Sequence, residues 1–197
     1  MKVLGITGGM GSGKSVVSQL LEMMDIPVYD SDREAKRVMD SSPLIWEKLL
    51  VRFGEKIYEQ GILNKPLLAS LIFNNPEHLA YVNSVVHPEV YNDFLVWKEQ
   101  QTGKPWVGVE SAILFESGFN QGVDKCICIS APLETRIQRV QKKSGLNRES
   151  VLDRIHNQIT EEERNRLADF ILVNDDKQSV LFQIENLIEQ LKSQEFV

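Results

Sequence analysis

Residues Lys2 to Leu21 constrain this chain more than any other stretch. An apolar run, Val3-Leu4-Gly5-Ile6-Thr7, leads into Gly8-Gly9-Met10-Gly11-Ser12-Gly13-Lys14-Ser15 and then into the helix-forming Val16-Val17-Ser18-Gln19-Leu20-Leu21. The order is strand, glycine-rich turn, helix, and the spacing from Gly8 to Gly13-Lys14-Ser15 is that of a Walker A phosphate loop in its required context. Glycines let successive backbone N–H groups turn inward as an anion nest, with the positive end of a helix dipole behind them. On this reading Gly9, Met10, Gly11, Ser12, Gly13, Lys14, Ser15 and Val16 line a nucleotide, Lys14 reaches the β- and γ-phosphates, and Ser15 ligates Mg²⁺. The competing reading is an ordinary glycine-rich turn, which the match at every fixed position and both flanks argues against.

Four more strand-length segments follow: Ile26-Pro27-Val28-Tyr29, Trp106 to Glu110, Lys125 to Ser130 and Phe170 to Asn174. Helical text separates them, which predicts an α/β fold with a five-stranded parallel sheet covered by helices on both faces and ligands at the carboxyl ends of the strands. From Asp40 to about Thr102 the text is helical, with starts at Ser42-Pro43, Asn64-Lys65-Pro66 and Asn75-Pro76 and no strand signal. His87-Pro88 is expected to mark a kink or a junction of two helices. The expectation is a single domain over 1–197 with a helical substrate lobe inserted at about 40–102. A last helix is predicted from Lys177 to Gln194, burying Val180, Leu181, Ile184, Leu187, Ile188 and Leu191.

A net charge of −6 argues against a general binder of nucleic acid or membrane surfaces, and no stretch of 18 apolar residues or signal-peptide profile occurs. The expected location is therefore cytoplasmic. Cys126 and Cys128 alternate within an apolar strand, so they face the same way and read as core thiols rather than metal ligands.

The candidate chemical groups cluster after the strands. Ser31 and Glu34 fit a capping box after the second strand, which puts Asp32 in a first helical turn that favours its ionised form. Asp32 is either a proton-accepting group or a carboxylate that only stabilises its helix. His87 could hold phosphate or a reacting hydroxyl, or satisfy the backbone that Pro88 breaks. Glu110, ending the third strand, stands where a Walker-B-like acid would join the outer shell of Mg²⁺. Arg136, Arg139, Lys142, Lys143 and Arg148 are the most basic part of an acidic chain. They form either a solvated face or a mobile lid over about 134–150 that closes on triphosphate.

The ordered set GITGGMGSGKS, VYDSD, VNSVVHP, ILFE, a basic lid and ADFILVN, spanning essentially the whole chain, resembles the dephospho-coenzyme A kinase family. The resemblance implies a P-loop kinase that transfers the γ-phosphoryl of ATP to the ribose 3′-hydroxyl of dephospho-coenzyme A, the last step of coenzyme A synthesis. It implies Asp32 as the general base, Lys65, His87 and Glu116 near the substrate, Arg139 and Lys143 as lid cations, and Asn174 near the adenine. Four positions depart from the family's pattern: Lys65 and Lys143 replace arginines, Ala112 a proline and Glu110 an aspartate. Lysine keeps the charge but loses the bidentate fork.

Two other readings compete. Another small-molecule P-loop kinase would share fold and mechanism and differ in its lobe. A regulatory GTPase would carry an Asn-Lys-x-Asp guanine signature, and Asn64-Lys65-Pro66-Leu67 lacks the acid.

Overall fold

A computed structural model describes residues 1–59, 61–73 and 75–193. In chain order the elements are β1 (Lys2–Gly8), α1 (Lys14–Met23), β2 (Val28–Asp30), α2 (Ser31–Ser41), α3 (Pro43–Phe53), β3 (Tyr58–Glu59), β4 (Ile62–Leu63), α4 (Lys65–Phe73) and α5 (Pro76–Glu99). They continue with β5 (Trp106–Glu110), β6 (Lys125–Ser130), α6 (Leu133–Ser144), α7 (Arg148–His156), α8 (Glu161–Leu167), β7 (Phe170–Val173) and α9 (Val180–Ser193). The chain divides into two compact units, Met1–Asp30 with Gln101–Val197, and Ser31–Gln100.

The first unit is built on a five-stranded sheet in the order β2-β5-β1-β6-β7, with every pairing parallel. Central strands buried on both faces need continuous apolar text, and β1 and β5 supply it: Val3, Leu4, Ile6, Val107 and Val109 are all buried. On one face Val17 and Leu21 of α1 and Ile184, Leu187 and Leu191 of α9 close over Leu4, Ile6, Ile127 and Ile129. Each fully buried aliphatic side chain contributes about 1.5–3 kcal/mol, so this layer fixes where the strands end. Cys126 and Cys128 are buried and unbridged, and no group of three or more His, Cys, Asp or Glu that could hold a metal occurs among the described residues. Burial pushes the Cys126 thiol up to about 12 and the Cys128 thiol up to about 11.

The second unit packs helices about α5, whose Val82, Val85, Val86, Val90 and Phe94 are buried with Ile45, Leu49 and Phe53 of α3. Ser42 caps α3, accepting from Ile45 N, and Asn75 caps α5, accepting from His78 N. Asn64 accepts from Leu67 N at 3.0 Å at the start of α4.

Several local expectations are corrected. The 40–102 stretch contains an antiparallel pair, Tyr58 with Leu63 and Glu59 with Ile62, with Gly61 at φ 80 between the strands. Strands of two residues are too short to show alternation. His87 and Pro88 lie inside one continuous helix, not at a junction: Pro88 lacks only its own N–H, and α5 carries on past it for more than ten residues. The second strand starts at Val28 rather than Ile26, because Ile26 N is spent closing the turn onto Leu21 O. The last helix starts at Val180 and leaves Leu181 45% exposed, while Gln194 lies outside the described residues.

Candidate active site

The turn between β1 and α1 is shaped by its glycines. Gly13 sits at φ 99, a left-handed conformation that side chains resist, and a Cβ there would also run into the Asn174 carboxamide. A Cβ on Gly9 would collide with the Arg136 guanidinium. Asn147 and Thr160 cap α7 and α8 with side-chain acceptors, whereas α1 begins at Gly13 with no side-chain cap. Its first turn therefore presents amides and the positive dipole end, the arrangement that binds phosphate. Lys14 Nζ donates to Gly8 O at 3.0 Å, which folds the ammonium back over the loop.

Parallel register brings an acid to this end of the sheet. Glu110 pairs with Ile6 on β1 and with Asp30 on β2, so the last residues of β2 and β5 stand side by side, level with a point two residues before β1 ends. Glu110 is 7% exposed, and its Oε2 accepts from Ser18 Oγ at 2.7 Å, a bond that orients a nearly buried carboxylate. Ser18 was not singled out by the sequence; one turn beyond Ser15, it carries no motif of its own.

From β7 and α6 come the groups that grip the loop from outside. Asn174 Nδ2 donates to Ser12 O at 2.7 Å. Arg139 donates through Nη2 to the backbone and side-chain oxygens of Asn174 at 3.2 Å and to Asp176 at 2.6 Å, and its Nη1 lies 3.4 Å from Ser12 O. Arg136 departs from the expected mobile lid: it is 4% exposed and its Nη1 donates to Glu161 at 3.1 Å. The partner carboxylate also accepts from Ser130 Oγ. Burial pulls the Arg136 pKa down from its ordinary value, which marks a cation held in a desolvated place. Lys143 is exposed in the last turn of α6, and Arg148 forms an exposed fork on Glu134 at 2.7 and 2.5 Å.

A cavity of about 280 Å³ adjoins, lined in part by Arg136, Gln158, Thr160, Glu161 and Arg164. A larger groove of about 630 Å³ runs between Ile26, Trp106 and α9 at the amino ends of the strands, the wrong end of a parallel sheet for a ligand of the phosphate loop. Glu116 is exposed and accepts from Ile159 N at 3.1 Å.

In the second unit Asp32 lies exposed in the first turn of α2, directly after β2 ends at Asp30. Glu34 is held by Arg37 at 2.5 Å and Arg33 at 3.0 Å. Lys65 pairs with Asp40 at 2.7 Å, both about half exposed. His87 is half-buried, and burial pulls its pKa below the usual 6.5, so near neutral pH it is an uncharged ring. Thus the first unit assembles Gly9 to Val16, Glu110, Arg139 and Asn174 around one loop, with Glu116 tied to the segment before α8. Asp32, Lys65 and His87 belong to the second unit.

Comparison with known proteins agrees with this architecture. The dephospho-CoA kinase family model matches residues 2–179. The dephospho-CoA kinase of Bacteroides fragilis strain YCH46 is 42% identical over 185 residues, covering 94% of this chain and 90% of that protein. The crystal structure of TT1252 from Thermus thermophilus superposes with a TM-score of 0.84 at 36% identity, covering 96% of this chain and 97% of that one. The shikimate kinase of Acinetobacter baumannii, at 18% identity and a TM-score of 0.52 over 99% and 94% of the two chains, shares the P-loop kinase fold alone. The chain belongs to the dephospho-CoA kinase family, whose enzymes catalyse the final step of coenzyme A synthesis.

Proposed function

We propose that this kinase transfers the γ-phosphoryl group of ATP to the ribose 3′-hydroxyl of dephospho-coenzyme A, in the cytoplasm and with Mg²⁺. The observation that carries the reading is the uncapped start of α1 behind a glycine loop, in a chain matched from residue 2 to residue 179 by one family model. Among the described residues no helix is long and apolar enough to cross a membrane.

The residues fit both groups. The glycine loop and the uncapped start of α1 suit phosphate oxygens, and Lys14 supplies the cation. Ser15 and Glu110 are oxygen donors of the kind Mg²⁺ takes, with Ser18 orienting the acid. Bound there, the metal would neutralise charge on the β- and γ-phosphates. Asp32 would accept the hydroxyl proton as the 3′-oxygen bonds to the γ-phosphorus and the bond to the β-phosphate oxygen breaks, releasing ADP. Arg139 and Lys143 would stabilise charge on the phosphates, with the part of 134–150 beyond the buried Arg136 acting as a lid that excludes water. Asn174 would lie near the adenine, and Lys65, His87 and Glu116 would hold the acceptor, with Ser31–Gln100 as its lobe.

The test is a coupled assay of the purified chain with ATP, Mg²⁺ and dephospho-coenzyme A. ADP release that depends on the acceptor, with a product heavier by one phosphoryl group, is expected. Release at the same rate without the acceptor would overturn the substrate assignment.

A further inference from the structure

The segment between α7 and α8 touches the phosphate loop through one side chain. Gln158 Oε1 accepts from Met10 N at 3.0 Å, and Gln158 Nε2 donates to Ala112 O at 3.1 Å. A carboxamide has one acceptor end and one donor end, and these partners fix which is which: the reverse orientation would set donor against donor and acceptor against acceptor. The turn that carries it is itself held. Ile159 N donates to Glu116 Oε1 at 3.1 Å, and Arg164, 1% exposed, donates through Nη2 to Ile159 O at 2.9 Å.

We propose that Gln158 is a positioning residue of the transfer step, a clip that sets the distance between the first half of the phosphate loop and the chain leaving β5. One end fixes Met10, at the turn of the loop. The other fixes Ala112, two residues past the buried acid Glu110 and four before Glu116. The bridge therefore relates the loop to the stretch that carries both acids, and it rests on the reading of this chain as a phosphoryl-transfer enzyme. The amide of Met10 points at Gln158 rather than into the nest, so releasing it frees the loop to re-aim its amides. Small displacements matter here, since a shift of about 1 Å in a reacting geometry lowers rate on the order of 10²-fold.

The experiment compares wild type, Gln158→Ala and Gln158→Glu. Gln158→Ala should lose about 10- to 10²-fold in kcat, with affinity for a non-hydrolysable ATP analogue held within about threefold. Gln158→Glu keeps the length and the acceptor but at pH 8 cannot donate to Ala112 O, so it should be as slow as Gln158→Ala. As pH falls from 8 to 4.5, the ratio of its kcat to wild type should rise, because a carboxyl of ordinary pKa about 4.3 is then protonated in a large fraction of molecules and regains the donor. The same ratio for Gln158→Ala should stay flat. Unchanged kcat in Gln158→Ala, a flat ratio for Gln158→Glu, or equal losses of kcat and ATP affinity with a lowered Tm would each overturn the proposal.

Hydrogen exchange at the Met10 amide tests the clip without any acceptor: slow exchange in wild type and faster exchange in either variant is expected, and equal rates would overturn it. A wild-type chain inert toward dephospho-coenzyme A but with exchange slowed by Gln158 would instead overturn the substrate assignment alone.

Discussion

The carboxamide of Asn174, just past the last sheet strand, donates to the carbonyl of Ser12 at 2.7 Å across 162 residues of sequence. Through this bond the most C-terminal strand holds the middle of the phosphate loop. The same carboxamide occupies the space where a Cβ on Gly13 would go.

Two substitutions should therefore interact. Gly13→Ala forces a side chain into the left-handed region, at about 1–2 kcal/mol, and into Asn174 as well. Asn174→Ala removes the second problem and not the first. Calorimetric ATP affinity is expected to fall at least tenfold in Gly13→Ala and to recover in part, never fully, in the double variant. Additive losses would mean that the two side chains do not meet.

Lys14→Ala and Ser15→Ala should nearly abolish turnover with little change in Tm, since neither side chain belongs to the apolar layer. Wild-type kcat/KM for Lys14→Ala at subsaturating ATP would sink the phosphate-loop assignment. Ser15→Ala should, in addition, raise the Mg²⁺ concentration needed for half-maximal rate.

For Asp32, replacement by Asn retains shape and an acceptor oxygen but removes the charge. Turnover is expected to fall by about 10²- to 10⁴-fold, while ATP affinity stays near wild type. Slow acceptor-independent ATP hydrolysis should survive. If hydrolysis and transfer fall together and Mg²⁺ dependence weakens, Asp32 serves the metal instead of the hydroxyl.

His87 gives a pH dependence of definite sign. Its folded pKa lies below the ordinary 6.5, so on acidification the unfolded chain takes up the proton first. The stability that the neutral ring contributes is complete above pH 6.5 and is lost as pH falls through 6.5 toward the folded value. Urea midpoints measured from pH 7.5 down to 5.5 should decline less steeply in His87→Gln than in wild type. Parallel curves would show that the ring does not titrate on unfolding.

What the sequence disclosed follows the range of the forces involved. The glycine loop is written within eight consecutive positions and the Ser42 and Asn75 caps within four, and each stands where the text placed it. Five parallel strands were legible because burial on both faces demands apolar runs. Gln158 was not, because its two partners lie 148 and 46 residues away. Arg136 was read as one cation among several on a basic helix, but i,i+3 spacing from Arg139 could not reveal that it turns under Gly9 toward Glu161. The β3–β4 pair escaped because two-residue strands leave no alternation to detect.

The two thiols of β6 have a practical consequence. They are the only cysteines of the chain, both are buried on a strand flanked by β1 and β7, and burial holds both in the protonated form at neutral pH. A small thiol reagent meets neither until the middle of the sheet opens, so its labelling rate counts those openings directly. The native enzyme thus carries its own clock for unfolding, which any nucleotide that tightens the phosphate loop on the adjacent strand should slow.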